Sequence, residues 1–233
     1  CDLLIDGEKI AAIGTGLDAA DAHVVDVSGC IVMPGAIDTH THFDLPVSGT
    51  VTADDFKSGT RAAILGGTTT ILDFATQDRG RTLHEAYETW RGRMDGKASC
   101  DVGFHMAITD WNERTSHEIG EMKDAGITSY KLYLAYPALM VEDDAVYEAL
   151  KRIRDVGGIA GFHCENGRLV TALTPHFHVA GRFDTAAHPL SRPPVVETEA
   201  IARLIRSARL ADAPVNFLHT SSAGGVEAIR QNN

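Results

Sequence analysis

The stretch Pro34-Gly-Ala-Ile-Asp-Thr-His40-Thr-His42-Phe-Asp44 decides how the rest of the chain is read. Side chains alternate along a strand, so a strand ending here sends His40 and His42 to the same side, two residues apart. Two imidazoles so placed can share one borderline metal such as zinc. Polar residues also end strands without any chemical role, so the motif needs partners elsewhere in the chain.

Working outward, short apolar runs alternate with amphipathic segments. Candidate strands lie at 30–37, 69–74, 102–108, 129–134, 158–163 and 215–219. The spacing of Val146, Leu150 and Ile153 predicts a helix over 141–156, with Glu142, Asp143 and Asp144 at its start and Lys151, Arg152 and Arg154 toward its end, both favourable to the helix dipole. A second amphipathic helix is expected over 195–210, and the His-, Gly- and Pro-rich stretch 174–194 before it reads as a long loop. Residues 52–55 and 82–85 each place a hydroxyl three residues before a carboxylate, the capping-box pattern. Gly66-Gly67, Gly96, Gly126 and Gly157-Gly158 sit where helices should stop.

Repeated strand–helix units imply a parallel sheet, because parallel neighbours need helical crossovers. With no GxGxxG or GxxxxGK[ST] after the first strand, a nucleotide-binding doubly wound sheet loses its main support. A (β/α)8 (TIM) barrel is the α/β alternative. Closure needs eight strands and only six are found, so about six strand–helix units of a longer protein are expected here. Ahead of them, 2–6 and 9–13 flank Gly7-Glu8 as a hairpin, and 23–27 reads as a further small strand. The expected division is a small β-sandwich portion at 1–29 and the barrel portion at 30–233.

The 233 residues carry 21 Lys+Arg against 32 Asp+Glu, a net charge of −11, which argues against nucleic acid or an anionic membrane as the main partner. No apolar run is long enough to span a bilayer. Cys1, Cys30, Cys100 and Cys164 form no CxxC pair, and free thiols in a reducing, cytoplasmic setting are the simpler reading.

Eleven histidines make position decisive. His163 and His219 each end a candidate strand and are followed by polar or small residues, Cys164-Glu-Asn-Gly167 and Thr220-Ser-Ser-Ala-Gly224. His105 is the control: Met106-Ala-Ile108 after it stays apolar, so it lies within its strand, below the mouth. His23, His84, His117, His176, His178 and His188 read as surface or loop residues. Lys131, in Ser129-Tyr-Lys-Leu-Tyr-Leu-Ala-Tyr136, occupies an apolar strand where a charged amine loses much hydration. Either it snorkels to the rim, or it is a neutral amine that reacts with carbon dioxide to form a carbamate. Cys164 alternates away from His163 and reads as a buried thiol; Asp44 shares the parity of His40 but lies in the following loop.

The order HxH, Lys, His, His on successive strand ends resembles the cyclic-amidase branch of the amidohydrolase superfamily, in particular dihydropyrimidinases and hydantoinases. Thr50-Val-Thr-Ala-Asp-Asp-Phe56, Gly66-Gly-Thr-Thr-Thr70, His163-Cys-Glu-Asn-Gly167 and Ser191-Arg-Pro-Pro194 extend the likeness over nearly the whole chain. The resemblance implies a metal-dependent-hydrolase barrel with two divalent ions, most simply zinc. His40 and His42 would hold the first, N6-carboxylated Lys131 would bridge, and His163 and His219 would hold the second. Tyr136 matches the tyrosine that polarises the substrate. The implied reaction is attack by a hydroxide held between the metals on a dihydropyrimidine or 5-substituted hydantoin, giving an N-carbamoyl amino acid. Allantoinase, dihydroorotase and a non-catalytic structural oligomer are the alternatives, and the family implies a homotetramer. The family usually has alanine at the position of Cys164. Its general-base aspartate follows the eighth strand, beyond Asn233.

Overall fold

In the computed structural model, which describes residues 1–18, 21–47 and 49–232, the alternation of apolar runs and helices becomes one six-stranded parallel sheet. Its strands are β3 (Ala36–Thr41), β6 (Thr68–Thr76), β7 (Asp101–Ala107), β8 (Ser129–Tyr133), β9 (Ile159–His163) and β10 (Val215–Phe217). The helices α1 (Phe56–Leu65), α2 (Leu83–Met94), α3 (Glu113–Asp124), α4 (Asp143–Asp155), α5 (Gly167–Val179), α6 (Ala187–Ser191), α7 (Pro194–Ala211) and α8 (Ala223–Arg230) connect or follow them. A small hairpin, β4 (Pro46–Val47) with β5 (Thr50–Val51), sits between β3 and α1. These elements belong to one compact unit, Gly35–Asn233; the other is Cys1–Pro34, built on the antiparallel pair β1 (Asp2–Asp6) and β2 (Lys9–Gly14). Gly7 supplies the turn of that pair at φ +59°.

Strand order decides between the two α/β windings. Across the sheet it runs β10, β9, β8, β7, β6, β3, with every neighbour next in chain order. A doubly wound sheet reverses direction at a switch point; this one never does, which is the winding of a (β/α) barrel. The sheet is also curled. Five steps of about 4.8 Å would put the outer strands of a flat sheet roughly 24 Å apart. Yet the rings of His40, on β3, and His219, just past β10, lie 5.3 Å apart between centroids.

Burial follows from the pattern. β8 is buried along nearly all its length, as a strand covered on both faces should be. Tyr130 and Leu132 point to the helical layer, where the Tyr130 hydroxyl donates to Ile119 O and Ile127 O. Phe56, Ile71, Leu83, Met106, Ile119, Met122, Leu150 and Phe162 fill the space between sheet and helices. Each such side chain contributes about 1.5–3 kcal/mol through burial. The opposite parity places Phe74, Ala107 and Tyr133 in a smaller cluster on the inner face.

Several sequence expectations are corrected. The first strand of the sheet begins at Ala36, not at residue 30: Cys30–Pro34 is exposed and without ladder bonds, and Pro34 has no N–H to offer one. Residues 23–27 form no strand; the chain instead turns, with Cys30 N donating to Val27 O. The cap of α1 is Asp55, paired reciprocally with Ser58, because the Thr52 hydroxyl is taken up accepting from Leu45 N across the β4–β5 loop. The box at Thr82 and Glu85 forms as read. The stretch 174–194 is helical at both ends: α5 runs through Pro175 to Val179, and α6 is a short turn of helix. Thr171 and Thr174 hydroxyls bond back to Gly167 O and Val170 O along α5.

Candidate metal centre

The C-terminal ends of the strands bring His40, His42, Lys131, His163 and His219 to one place. His40 and His42 rings stand edge-on at 5.1 Å, as their shared parity requires. His219 lies 5.3 Å from His40 and 4.9 Å from His163, so the four imidazoles form a continuous chain across the curled sheet. Lys131, 3 % exposed, projects its Nζ over the Phe74 ring at 4.4 Å and the Tyr133 ring at 4.9 Å. The Tyr136 ring packs at 4.9 Å from His163.

Phe74 is the floor of this group, at 4.7 Å from His40, 4.9 Å from His42 and 4.8 Å from His105. His105 sits lower, both ring nitrogens engaged, with Ser129 Oγ at 2.5 Å and Thr39 O at 2.9 Å. Asp44 braces the following loop: its carboxylate accepts from Phe56 N at 3.3 Å and its carbonyl from Arg93 at 2.9 Å. Cys164 is buried on the other side of the sheet, where burial pushes its thiol up to about 12. His84 and His117 share Glu121 on the surface.

Beneath the histidine pair, Asp73 is almost fully buried and collects four donors: Thr41 Oγ1, Phe43 N, Phe74 N and Trp90 Nε1, at 2.7–3.2 Å. Thr41 and Phe43 flank His42, so this carboxylate fixes the chain on both sides of it. Sequence reasoning passed over Asp73, although an aspartate inside an apolar strand run is itself a sign of buried polar work. Phe74 gave no such sign. Glu165 and Arg192 also escaped it: Glu165 Oε2 meets His163 Nε2 at 2.7 Å and Arg192 Nη1 at 2.8 Å.

The electrostatics favour uncharged donors. Burial, then the Lys131 charge, lowers His40 to about 3 and His42 to about 4. His219 and His105 are lowered as well, mainly by burial. Burial alone brings the Lys131 amine down to about 8. Burial raises Tyr136, with Glu165 adding to the shift. Burial pushes Glu165 up, but its bond with His163 and the Arg192 charge outweigh that and hold it below the usual range.

Tyr136, at φ +67°, and His219, at φ +40°, adopt left-handed backbone in the loops that follow β8 and β10. Such conformations cost about 1–3 kcal/mol and cluster at functional sites. At Tyr136 the turn is held by Leu139 N and Met140 N, both donating to its carbonyl at 2.8 Å.

Whether these residues suit a metal is tested by their own unmet needs. His42 Nδ1 is buried with no hydrogen-bond partner, and an orphaned buried ring nitrogen is costly in either tautomer. His163 Nδ1 and His219 Nε2 face each other at 3.4 Å. Among the described residues no three His, Cys, Asp or Glu side chains stand as a ready-made grip; the donor set of neutral imidazoles around a lysine nonetheless suits a borderline divalent ion.

The profile described as Amidohydrolase family matches residues 31–184. A D-hydantoinase from Geobacillus stearothermophilus is 42 % identical over 99 % of this chain and 49 % of its own length. A dihydropyrimidinase from Dictyostelium discoideum is 40 % identical over 98 % of this chain and 46 % of its own. The crystal structure of dihydropyrimidinase from Brevibacillus agri superposes with a TM-score of 0.96 at 42 % identity, over 99 % of this chain and 50 % of that one. The chain thus spans about half the length of the relatives it matches.

Proposed function

This chain belongs to the amidohydrolase family, and from that premise we propose that it serves the hydrolysis of a cyclic amide, a dihydropyrimidine or 5-substituted hydantoin, to an N-carbamoyl amino acid. The observation that carries the reading is the convergence of four imidazoles on one buried lysine, with one ring nitrogen left orphaned. The names of its relatives support the substrate class.

In this reading His40 and His42 would hold one divalent ion and His163 and His219 a second, with Lys131, as a carbamate, the remaining ligand. Two such ions, most simply zinc, supply an activated water and a Lewis acid for the carbonyl when bound. Lys131 is prepared for carbamate formation by burial: an amine that titrates at about 8 offers free base near neutral pH. Its nitrogen adds to carbon dioxide and releases one proton. The Phe74 and Tyr133 rings exclude water around it. Tyr136, packed against His163, donates its hydroxyl hydrogen to the ring carbonyl oxygen as negative charge grows there. Raising its pKa keeps that hydrogen in place at working pH. The division into a small β portion at 1–29 and a barrel portion at 30–233, tetrameric assembly and cytoplasmic residence belong to the same proposal. Among the described residues no helix is long and apolar enough to cross a membrane.

Side-by-side assay of the full-length protein on dihydrouracil, a hydantoin, allantoin and dihydroorotate, with metal content measured on the same sample, tests the reading. Turnover of the first two with about two zinc ions per chain is expected. Turnover of dihydroorotate alone would overturn the substrate assignment.

A further inference from the structure

Glu165 and Arg192 take no direct part in the chemistry described, yet they join the two residues of the β8–β9 side into a closed circuit. His163 Nε2 meets Glu165 Oε2 at 2.7 Å; the same oxygen receives Arg192 Nη1 at 2.8 Å. The Arg192 guanidinium lies 5.3 Å over the Tyr136 ring, and that ring returns to His163 at 4.9 Å. All three polar side chains are well shielded: 15 % exposed for His163 and Glu165, 19 % for Arg192. A carboxylate accepts but cannot donate, so the nitrogen facing it must carry the hydrogen. That leaves the lone pair on Nδ1, the nitrogen that faces His219 Nε2.

We propose that Glu165, clamped by Arg192, is a positioning residue that fixes His163 as the Nε2–H tautomer and turns its Nδ1 lone pair toward His219 for a shared divalent ion. The inference rests on the metal reading above and adds to it the device that orients one ligand. A carboxylate behind a metal-binding histidine fixes ring orientation and raises ligand basicity, and its loss typically costs about 10–100-fold in metal affinity. Arg192 arrives from the Ser191-Arg-Pro-Pro194 stretch, outside the strand ends. The same clamp therefore couples the segment between α6 and α7 to Tyr136.

The test is zinc competition against a chromophoric chelator for the wild-type protein, Glu165→Gln and Glu165→Ala, with the unfolding midpoint of each metal-free protein measured alongside. Glu165→Ala should hold its zinc about 10–100-fold more weakly. Glu165→Gln keeps an acceptor in place and should recover most of that loss, with an unfolding midpoint between those of Glu165→Ala and wild type. Ring-nitrogen NMR of the metal-free wild type, with His163 identified by its absence in His163→Gln, reads the tautomer without relying on any Glu165 variant that fails to fold. Hydrogen on Nε2 is expected. Hydrogen on Nδ1, or undiminished zinc affinity in Glu165→Ala, overturns the positioning role and leaves the metal reading standing. A wild type that takes up no zinc while His163 still carries its hydrogen on Nε2 sinks the metal reading, and the metal-positioning role with it.

Discussion

The two sides of the candidate centre are built differently. On the β8–β9 side, both nitrogens of His163 have polar neighbours, Glu165 and His219, and Tyr136 is packed against the ring. On the β3 side, His42 Nδ1 is buried with nothing to bond, although the backbone around it is firmly anchored through Asp73. Each side leaves one buried nitrogen unpaired, Arg192 Nε behind the first and His42 Nδ1 on the second, but only on the β3 side does that nitrogen belong to a candidate ligand. The contrast shows a site whose geometry is fixed by the fold while part of its bonding capacity is reserved for something from outside.

The largest expected effect comes from the residue between the two sides. Lys131→Ala should lose paired metal binding. If the ions supply about 4 kcal/mol of transition-state stabilisation, activity falls by roughly a thousandfold. Metal analysis and steady-state rates check this, with short carboxylic acids expected to restore part of both. Tyr136→Phe sharpens the contrast by touching only the β8–β9 side. It should lower kcat by about 10²–10³ while leaving metal content unchanged; lost metal would show that Tyr136 supports the ligands instead. Urea unfolding of metal-free His42→Leu and His163→Leu should then move in opposite directions. Removing the orphaned nitrogen stabilises by about 1 kcal/mol, whereas stripping Glu165 of its partner destabilises by about 1–3 kcal/mol. Equal losses would erase the distinction between the sides.

The smallest effect is a pH dependence of the metal-free protein. His40 and His42 titrate lower in the fold than when unfolded, so the unfolded chain binds more protons between about pH 4 and 6.5. Stability from these groups therefore rises with pH across that window. Lys131, lowered to about 8, adds a second rise from there toward its ordinary value near 10.4. Denaturant midpoints measured across both windows check the signs. A Lys131→Met variant should lose the upper rise and keep the lower one, somewhat weakened by the missing neighbour charge.

What was legible in the sequence is what local periodicity encodes. The parity of His40 and His42, the position of His163 and His219 at the mouth, the depth of His105 and the apolar stripe of α4 all follow from repeats of two or 3.6 residues. The missed features depend on partners distant in sequence. Arg192 reaches Glu165 across 27 positions, and Asp73 binds Thr41 across 32; no short-range pattern announces either. Thr52 matched the capping pattern but was claimed by Leu45, just before β4. Pro175 looked like a loop signal, yet α5 continues through it, its threonine hydroxyls bonding back along the turn. Residues 30–35 have a strand's composition, but an apolar run at the edge of a sheet needs a partner to become a strand, and β6 pairs only from Ala36 onward.

The meeting of His40 with His219 has a bearing on biosynthesis. These rings belong to the first and last strands of the parallel sheet, so their encounter waits until every intervening unit has been made and wound. A nascent chain ending at β9 would display three of the four imidazoles with no fourth to complete the ring. If the centre takes up ions as proposed, their capture is a late event that follows the placing of six successive strand–helix units in order.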